Sequence, residues 1–235
     1  MEVLISSTTN PWIELPAEPP CQLPGDVDRI ERFNQRARPD FQLQLDLLPE
    51  PFIGSVNATV LLLNLNPGFS EADQAVHARS SFQTAVRRTL RHEVQPYPFY
   101  YLDPEEDGPG HAWVRQRLRP ILERVPLQCA AANLLTVEYL PYHSRRFAHA
   151  ALRLPSQDYS FDLVRRALAR DALVVLLRGE RVWLDAVPEL ARYSNLYRLR
   201  SQQNVTVSPR NCPEGFERMV EALLRIQAEP RLTVA

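Results

Sequence analysis

Thr59-Val60-Leu61-Leu62-Leu63-Asn64-Leu65-Asn66-Pro67-Gly68-Phe69-Ser70 decides how the rest of the chain is read. Val60 to Leu63 is an uninterrupted apolar run, which suits a strand buried on both faces of a parallel sheet. The run ends abruptly in Asn-x-Asn-Pro-Gly. Pro67 fixes its φ and donates no hydrogen bond, while Gly68 tolerates backbone angles that other residues avoid. A buried strand that stops in a rigid polar turn places Asn66 at the carboxyl edge of the sheet, where ligands bind in open α/β folds. A tight strand-to-helix connection without chemistry is the alternative, and this stretch alone leaves it open.

Working outward, two more apolar runs read as buried strands. Cys129 to Val137 is interrupted by one polar residue, Asn133, and Ala172 to Leu177 ends at Arg178-Gly179-Glu180. Leu196–Leu199 and Asn204–Val207 are shorter candidates. Helical spacing of apolar residues follows Ser70, with a break near Ser80-Ser81, and recurs over Trp113–Arg124, Phe161–Arg170, the segment from Glu180 to about Val187, and the stretch holding Phe216, Met219, Val220, Leu223 and Leu224. Asp26 is placed to cap a helix from about Val27 to Arg38 with Ile30 and Phe33 inward, and Phe41–Pro51 is an apolar connection. Strands alternating with helices predict an α/β fold in three layers, a central mostly parallel β-sheet flanked by helices. Residues 1–235 form a single domain in this reading, with residues 1–27 as an irregular proline-rich arm lying over it.

Composition narrows the chemistry. With 45% hydrophobic and 23% charged residues in a chain of 235, the body should be globular, and a net charge of -1 excludes a uniformly basic surface. Nucleic-acid binding would have to come from local patches. Three arginine-rich stretches, 77–92, 143–153 and 192–210, each follow a candidate strand and would make such a patch if they met at one sheet edge. All 27 basic residues are arginine, so no side chain can form a Schiff base. Cys21, Cys129 and Cys212 lack CxxC spacing, which suggests neither a zinc site nor an iron–sulphur cluster. No metal and no cofactor is expected. Without an N-terminal apolar segment or a run of membrane-spanning length, the chain is expected to be soluble and cytoplasmic.

Four pieces of the chain, in order over about residues 55–225, resemble the uracil-DNA glycosylase superfamily. Leu65-Asn66-Pro67-Gly68 resembles its first motif in the Asn-Pro-Gly form of the single-strand-selective and mismatch-specific branches. Ala132-Asn133-Leu-Leu-Thr-Val is similar to the strand whose asparagine reads a flipped base. Val174-Val-Leu-Leu-Arg-Gly resembles the strand-and-glycine segment before the second motif, and Ser208-Pro209-Arg210-Asn211 resembles half of that motif. The resemblance implies base flipping and hydrolysis of the N-glycosidic bond of uracil or another modified base. DNA, single-stranded or mismatched, is the implied partner, and the chain would act as a monomer. Asn66 would position the attacking water. Asn133, offering a donor and an acceptor together, would read the base edge, with Phe82 or Phe69 stacking beneath. Ser208, Pro209, Arg210 and Asn211 would hold the DNA, Ser208 and Pro209 at the backbone and Arg210 wedged into the space left by the flipped base. Gly68 stands where the uracil-strict branch carries a bulky aromatic, so the pocket would admit C5-substituted bases. Lacking lysine, the enzyme would be monofunctional and leave an abasic site.

The chain departs from the family at the second motif, where Thr206 and Val207 replace the usual histidine donor. Losing one preorganised donor costs about 3 kcal/mol of barrier. His143, in the loop after the Asn133 strand, is the candidate substitute. A non-catalytic relative that binds a base or nucleic acid in the same pocket is therefore the second hypothesis. A small-molecule hydrolase or transferase is the third, disfavoured because no Gly-x-Ser-x-Gly elbow or phosphate-cradling glycine loop is present.

Overall fold

The apolar run at 60–64 becomes the middle strand of the sheet. In the computed structural model, which describes residues 9–225, the strands are β1 (Phe52–Gly54), β2 (Val60–Asn64), β3 (Leu134–Glu138), β4 (Leu173–Leu176) and β5 (Leu196–Arg198). Their spatial order is β1-β3-β2-β4-β5. Neighbours run parallel except β1, which pairs antiparallel with the edge of β3. Every residue of β2, β3 and β4 is buried, as unbroken apolar strands require when both faces are covered.

Eight α-helices among the described residues supply the cover: α1 (Val27–Asn34), α2 (Glu71–His77), α3 (Ser80–Leu90), α4 (Pro109–Leu122), α5 (Leu127–Asn133), α6 (Gln157–Ala169), α7 (Glu180–Ala186) and α8 (Phe216–Leu224). From β2 the chain passes through α2 to α5 and returns beside β2 as β3. It then crosses back through α6 to β4 on the other side of β2. Right-handed crossovers in opposite directions place their helices on opposite faces, which is compatible with three layers. The strand order reverses between β2 and β3, and the crevice beyond their carboxyl ends is the topological switch point. Among the described residues, no helix is long and apolar enough to cross a membrane.

Several sequence expectations shift. The run at 129–137 is not one strand: its Ala-rich front half is the helix α5, which takes in Asn133, and the strand begins at Leu134. Asn204–Val207 is not a strand. The side-chain amide of Asn211 donates to the carbonyls of Asn204 (2.7 Å) and Thr206 (2.9 Å), satisfying backbone acceptors that a neighbouring strand would otherwise meet. Helix α1 ends at Asn34, and the Asp26 side chain does not cap it. Asp26 is buried and instead accepts from the Tyr142 hydroxyl and the Ser156 amide. The described part of the N-terminal arm contains two short 3-10 turns, Pro11–Glu14 and Pro24–Asp26, and buries Trp12, Leu15, Cys21 and Leu23 in the core. Residues 1–8 lie outside the described residues.

Beyond the end of β2 the chain stays pinned. The Asn64 carbonyl accepts from the Tyr139 amide (3.2 Å) and from the indole N–H of Trp183 on α7 (2.7 Å). Leu140 donates to Leu65 O at 2.8 Å and Ser144 to Pro67 O at 3.3 Å. Two loop segments thus run side by side past the sheet edge. Gly179 closes the turn into α7 at φ 72°, and a Cβ there would lie 2.2 Å from Leu65 Cδ2. Gly179→Ala is expected to cost at least about 1–2 kcal/mol from the left-handed backbone alone. At this chain length that lowers Tm by roughly 2–8 °C, and an unchanged thermal unfolding curve would contradict the assignment.

Candidate functional site

Register builds the site. In the parallel β2–β3 pair, Leu62 lies opposite Thr136 and Asn64 opposite Glu138. With a side-chain period of two, these four residues share one face of the sheet. All four line a cavity of about 540 Å³ at the carboxyl edge. Tyr101 and the α4 residues Trp113, Val114 and Arg117 form its far wall, and Asn66, Gly68, Phe69, Ser144 and Phe147 line it from the paired loops.

Two carboxyl groups are buried beside it. Glu138 Oε1 accepts from Asn64 Nδ2 at 3.0 Å, and Oε2 has no partner among the described residues. Burial pushes this carboxyl up to about 8, against the Asn64 bond and the Arg178 charge, which pull it down; Glu50 adds to the rise. At neutral pH it is a carboxylic acid. Leaving such a buried polar atom unmatched costs about 1–3 kcal/mol. Glu50 differs. It accepts from the hydroxyls of Tyr100 (2.6 Å) and Tyr101 (2.8 Å) and lies 3.6 Å from His143. Burial raises its carboxyl too, with His143 and the tyrosines opposing. Burial and the Glu50 charge push both tyrosine hydroxyls well above their ordinary value.

Glu50, His77 and His143 bring ligand-type atoms within 4.8 Å of one another. Their hydrogen bonds do not fit a metal. His77 Nδ1 accepts from the Leu48 amide at 3.2 Å, and burial drops this ring to about 2, so the neutral ring carries its proton on Nε2. The nitrogens of His143 lie 2.7 Å from Gly68 O and 3.1 Å from Leu48 O. The accepting nitrogen of His77 is taken by an amide, and both nitrogens of His143 face backbone carbonyls, so neither ring turns an open nitrogen toward a shared ion.

Of the residues singled out in the sequence, Asn66, Gly68, Phe69 and His143 reach the cavity. Asn66 is well placed. Its Nδ2 donates to Pro67 O (2.8 Å) and Ser144 Oγ (2.9 Å), leaving Oδ1 as the acceptor it presents. His143 is buried and committed to two backbone carbonyls, so it braces the Gly68 turn and presents no ring N–H to a ligand. Asn133 lies at the amino end of β3, the opposite edge of the sheet, where its Nδ2 donates to Cys129 O and Leu223 O. Phe82 is core, packed against His77, Tyr100 and Tyr101. Ser208, Pro209, Arg210 and Asn211 do not line the cavity. Ser208 Oγ accepts from the Asn211 amide in a turn, and Arg210 is exposed. The second-motif position brings Val205 and Val207 to the cavity, while the Thr206 hydroxyl donates to Asn204.

Comparison with known protein families, curated proteins and solved structures returns no significant match.

The arginines only partly gather. Arg145 and Arg146 line the cavity while pairing with Glu71 and Asp40 at the surface, and Arg79, Arg88, Arg91 and Arg198 pair with acids away from it. Two further cavity arginines, Arg117 and Arg178, lie outside the arginine-rich stretches, and each keeps a buried Nε without a partner. Sequence reasoning also missed Glu138, Asn64 and Glu50. For Glu138 a signal existed, an acid closing the apolar run Leu134-Leu-Thr-Val.

Because Glu138 is harder to ionise in the folded protein than in the unfolded chain, the stability it supports is fully present below about 4.5. It is lost as pH rises through about 8. Glu138→Gln removes this dependence, so the variant should gain on the wild type across that window in denaturant titrations. Parallel pH profiles for the two proteins would refute the raised carboxyl.

Proposed function

We propose that this protein is a DNA glycosylase of the uracil-DNA glycosylase type, hydrolysing the N-glycosidic bond of uracil or another modified base and leaving an abasic site. DNA, single-stranded or mismatched, is its partner, and it works as a cytoplasmic monomer without a cofactor. The observation that carries this reading is the cavity at the β2–β3 switch point. Directly after the Asn66-Pro67-Gly68 turn, it joins aromatic walls (Phe69, Tyr101, Trp113, Phe147) to an amide and carboxyl floor, with Arg145 and Arg146 exposed at its rim. Its size and mixed lining suit a heterocycle that needs both stacking and hydrogen bonds.

In this reading a nucleotide flips into the cavity and its base lies over the Asn64–Glu138 pair. Asn66 Oδ1 accepts from the attacking water and holds it in line with the sugar carbon. A carboxamide is too weak a base to take that proton, which leaves with the departing base, anionic as its bond to the sugar breaks. The barrier is therefore lowered chiefly by stabilising negative charge on the departing base. Arg145, 5.0 Å above the Phe69 ring, and Arg146 would meet the phosphates on either side of the flipped nucleotide.

A second reading, a relative that binds a base without cutting, draws on one observation. His143 is turned to the backbone and Val207 lines the wall, so neither supplies the donor that the second motif normally brings.

Base release from single-stranded and mismatched oligonucleotides carrying uracil, hypoxanthine or a C5-modified pyrimidine, read as alkali-labile abasic sites, separates the two. Release that falls about 100-fold or more in Asn66→Ala supports the glycosylase. Tight, salt-dependent binding without release supports the second reading, and the absence of both refutes the base site. A Cβ at Gly68 would meet nothing within 4 Å, so Gly68→Tyr should fold normally and narrow the cavity. Among substrates the wild type cleaves, the variant should keep uracil and lose bases substituted at C5. Equal loss of both would mean that this edge does not face C5.

A further inference from the structure

We infer that Glu138 is the specificity-determining residue of the cavity, its Oε2 donating a hydrogen bond to a carbonyl oxygen or ring nitrogen on the edge of a bound nucleobase. This rests on the reading of the cavity as a base site and names the group that reads the base.

Geometry assigns the roles of the two oxygens. Asn64 Nδ2 already donates to Oε1, so Oε1 is an acceptor and the acid proton belongs on Oε2. Oε2 is buried and has no partner among the described residues, on a side chain only 4% exposed that lines the cavity. Buried polar atoms in native proteins are matched as a rule, and an unmatched one on a cavity wall points to a ligand. The terminal torsion of a glutamate side chain is soft, so a small rotation presents Oε2 to a ligand while Oε1 stays near Asn64. A protonated carboxyl held this way offers one donor and one acceptor, the pair that a carboxamide would offer. Glu138 thus occupies, at the carboxyl end of β3, the role that the sequence suggested for Asn133.

The surroundings keep the proton in place. Glu50 faces Glu138 from the segment before β1, and its charge opposes ionisation; Arg178, beyond β4, favours it. Tyr100 and Tyr101 hold Glu50 from a 3-10 turn, and His143 faces Glu50 from the loop after β3. Burial outweighs the opposing charge, and the carboxyl ionises only near pH 8. Below that, Oε2–H matches an oxo group and opposes an amino group at the same position. Above it, the bare carboxylate reverses the preference.

The test is binding of a single-stranded oligonucleotide carrying one 2′-deoxypseudouridine, whose carbon–carbon glycosidic bond cannot be hydrolysed. The same strand with an abasic analogue serves as reference. Wild type should prefer the pseudouridine strand at pH 7 and lose that preference about tenfold per pH unit above pH 8. Glu138→Gln, with its amide N–H toward the base, should stay within about threefold of wild type at pH 7 and show no such loss. Glu138→Leu should lose tenfold or more. A wild type that prefers the probe while Glu138→Leu binds equally well overturns the role of Glu138 alone. So does a Gln variant that fails to bind at pH 7, because it would mean that the base donates to a carboxylate. If Glu138→Leu does not fold, the Gln variant decides, since donor and acceptor roles give it opposite outcomes. A wild type indifferent to the base overturns the base site itself, and this inference with it.

Discussion

Asn64 is the junction on which the site depends. Its carbonyl takes two donors, the Tyr139 amide and the Trp183 indole, and its side chain donates to Glu138. One residue at the end of β2 therefore fixes β3, the loop that follows β3, and α7. A parallel sheet normally frays past its last ladder bond. Here the ladder is prolonged by Leu140 to Leu65 and Ser144 to Pro67, so Asn66 and Gly68 sit on a braced turn. Polar groups meant to meet a ligand hold their geometry best when their support is this local and this redundant.

The floor of the cavity is not an arrangement that stability alone would favour. A buried acid with one oxygen unmatched carries a desolvation cost that nothing in the fold offsets. Glu50 shows what a structurally settled buried carboxyl looks like, with two tyrosine hydroxyls donating to it and a histidine close by. Glu138, which lines the same cavity, has a single donor. The contrast between two acids in one cavity separates the group that holds the structure from the group left available.

The layout of the fold was legible because β2 and β4 are buried on both faces, and such strands leave uninterrupted apolar runs. The error at Asn133 came from the same signal. A short apolar run does not distinguish strand from buried helix, and Cys129-Ala-Ala-Ala is helical in α5. Five residues of helix, Cys129 to Asn133, displaced the strand, and with it the residue at the strand's carboxyl end. Strand β1, three residues long and antiparallel, carried no pattern to read. Of the site, Asn66 and Gly68 were legible because the turn chemistry is local. The Asn64–Glu138 contact joins residues 74 positions apart, and only the register of two parallel strands makes it.

On the proposed reading, the absence of a histidine at Thr206 and Val207 looks different once the wall is known. In the loop after β5, Val205 and Val207 face the cavity and the nearest hydroxyl, on Thr206, is engaged with Asn204. A donor placed there would act from the side wall, whose valines are fully buried. Glu138 acts from the floor, where its own burial keeps the proton on. A neutral acid donating to a base oxygen strengthens that bond as the base gains negative charge, without a charged group having to be buried beforehand. The valines then have a function of their own. Fully buried, they keep the cavity wall apolar and help preserve the low polarity that holds the Glu138 proton, so on the proposed reading the apolar wall and the buried acid form one device.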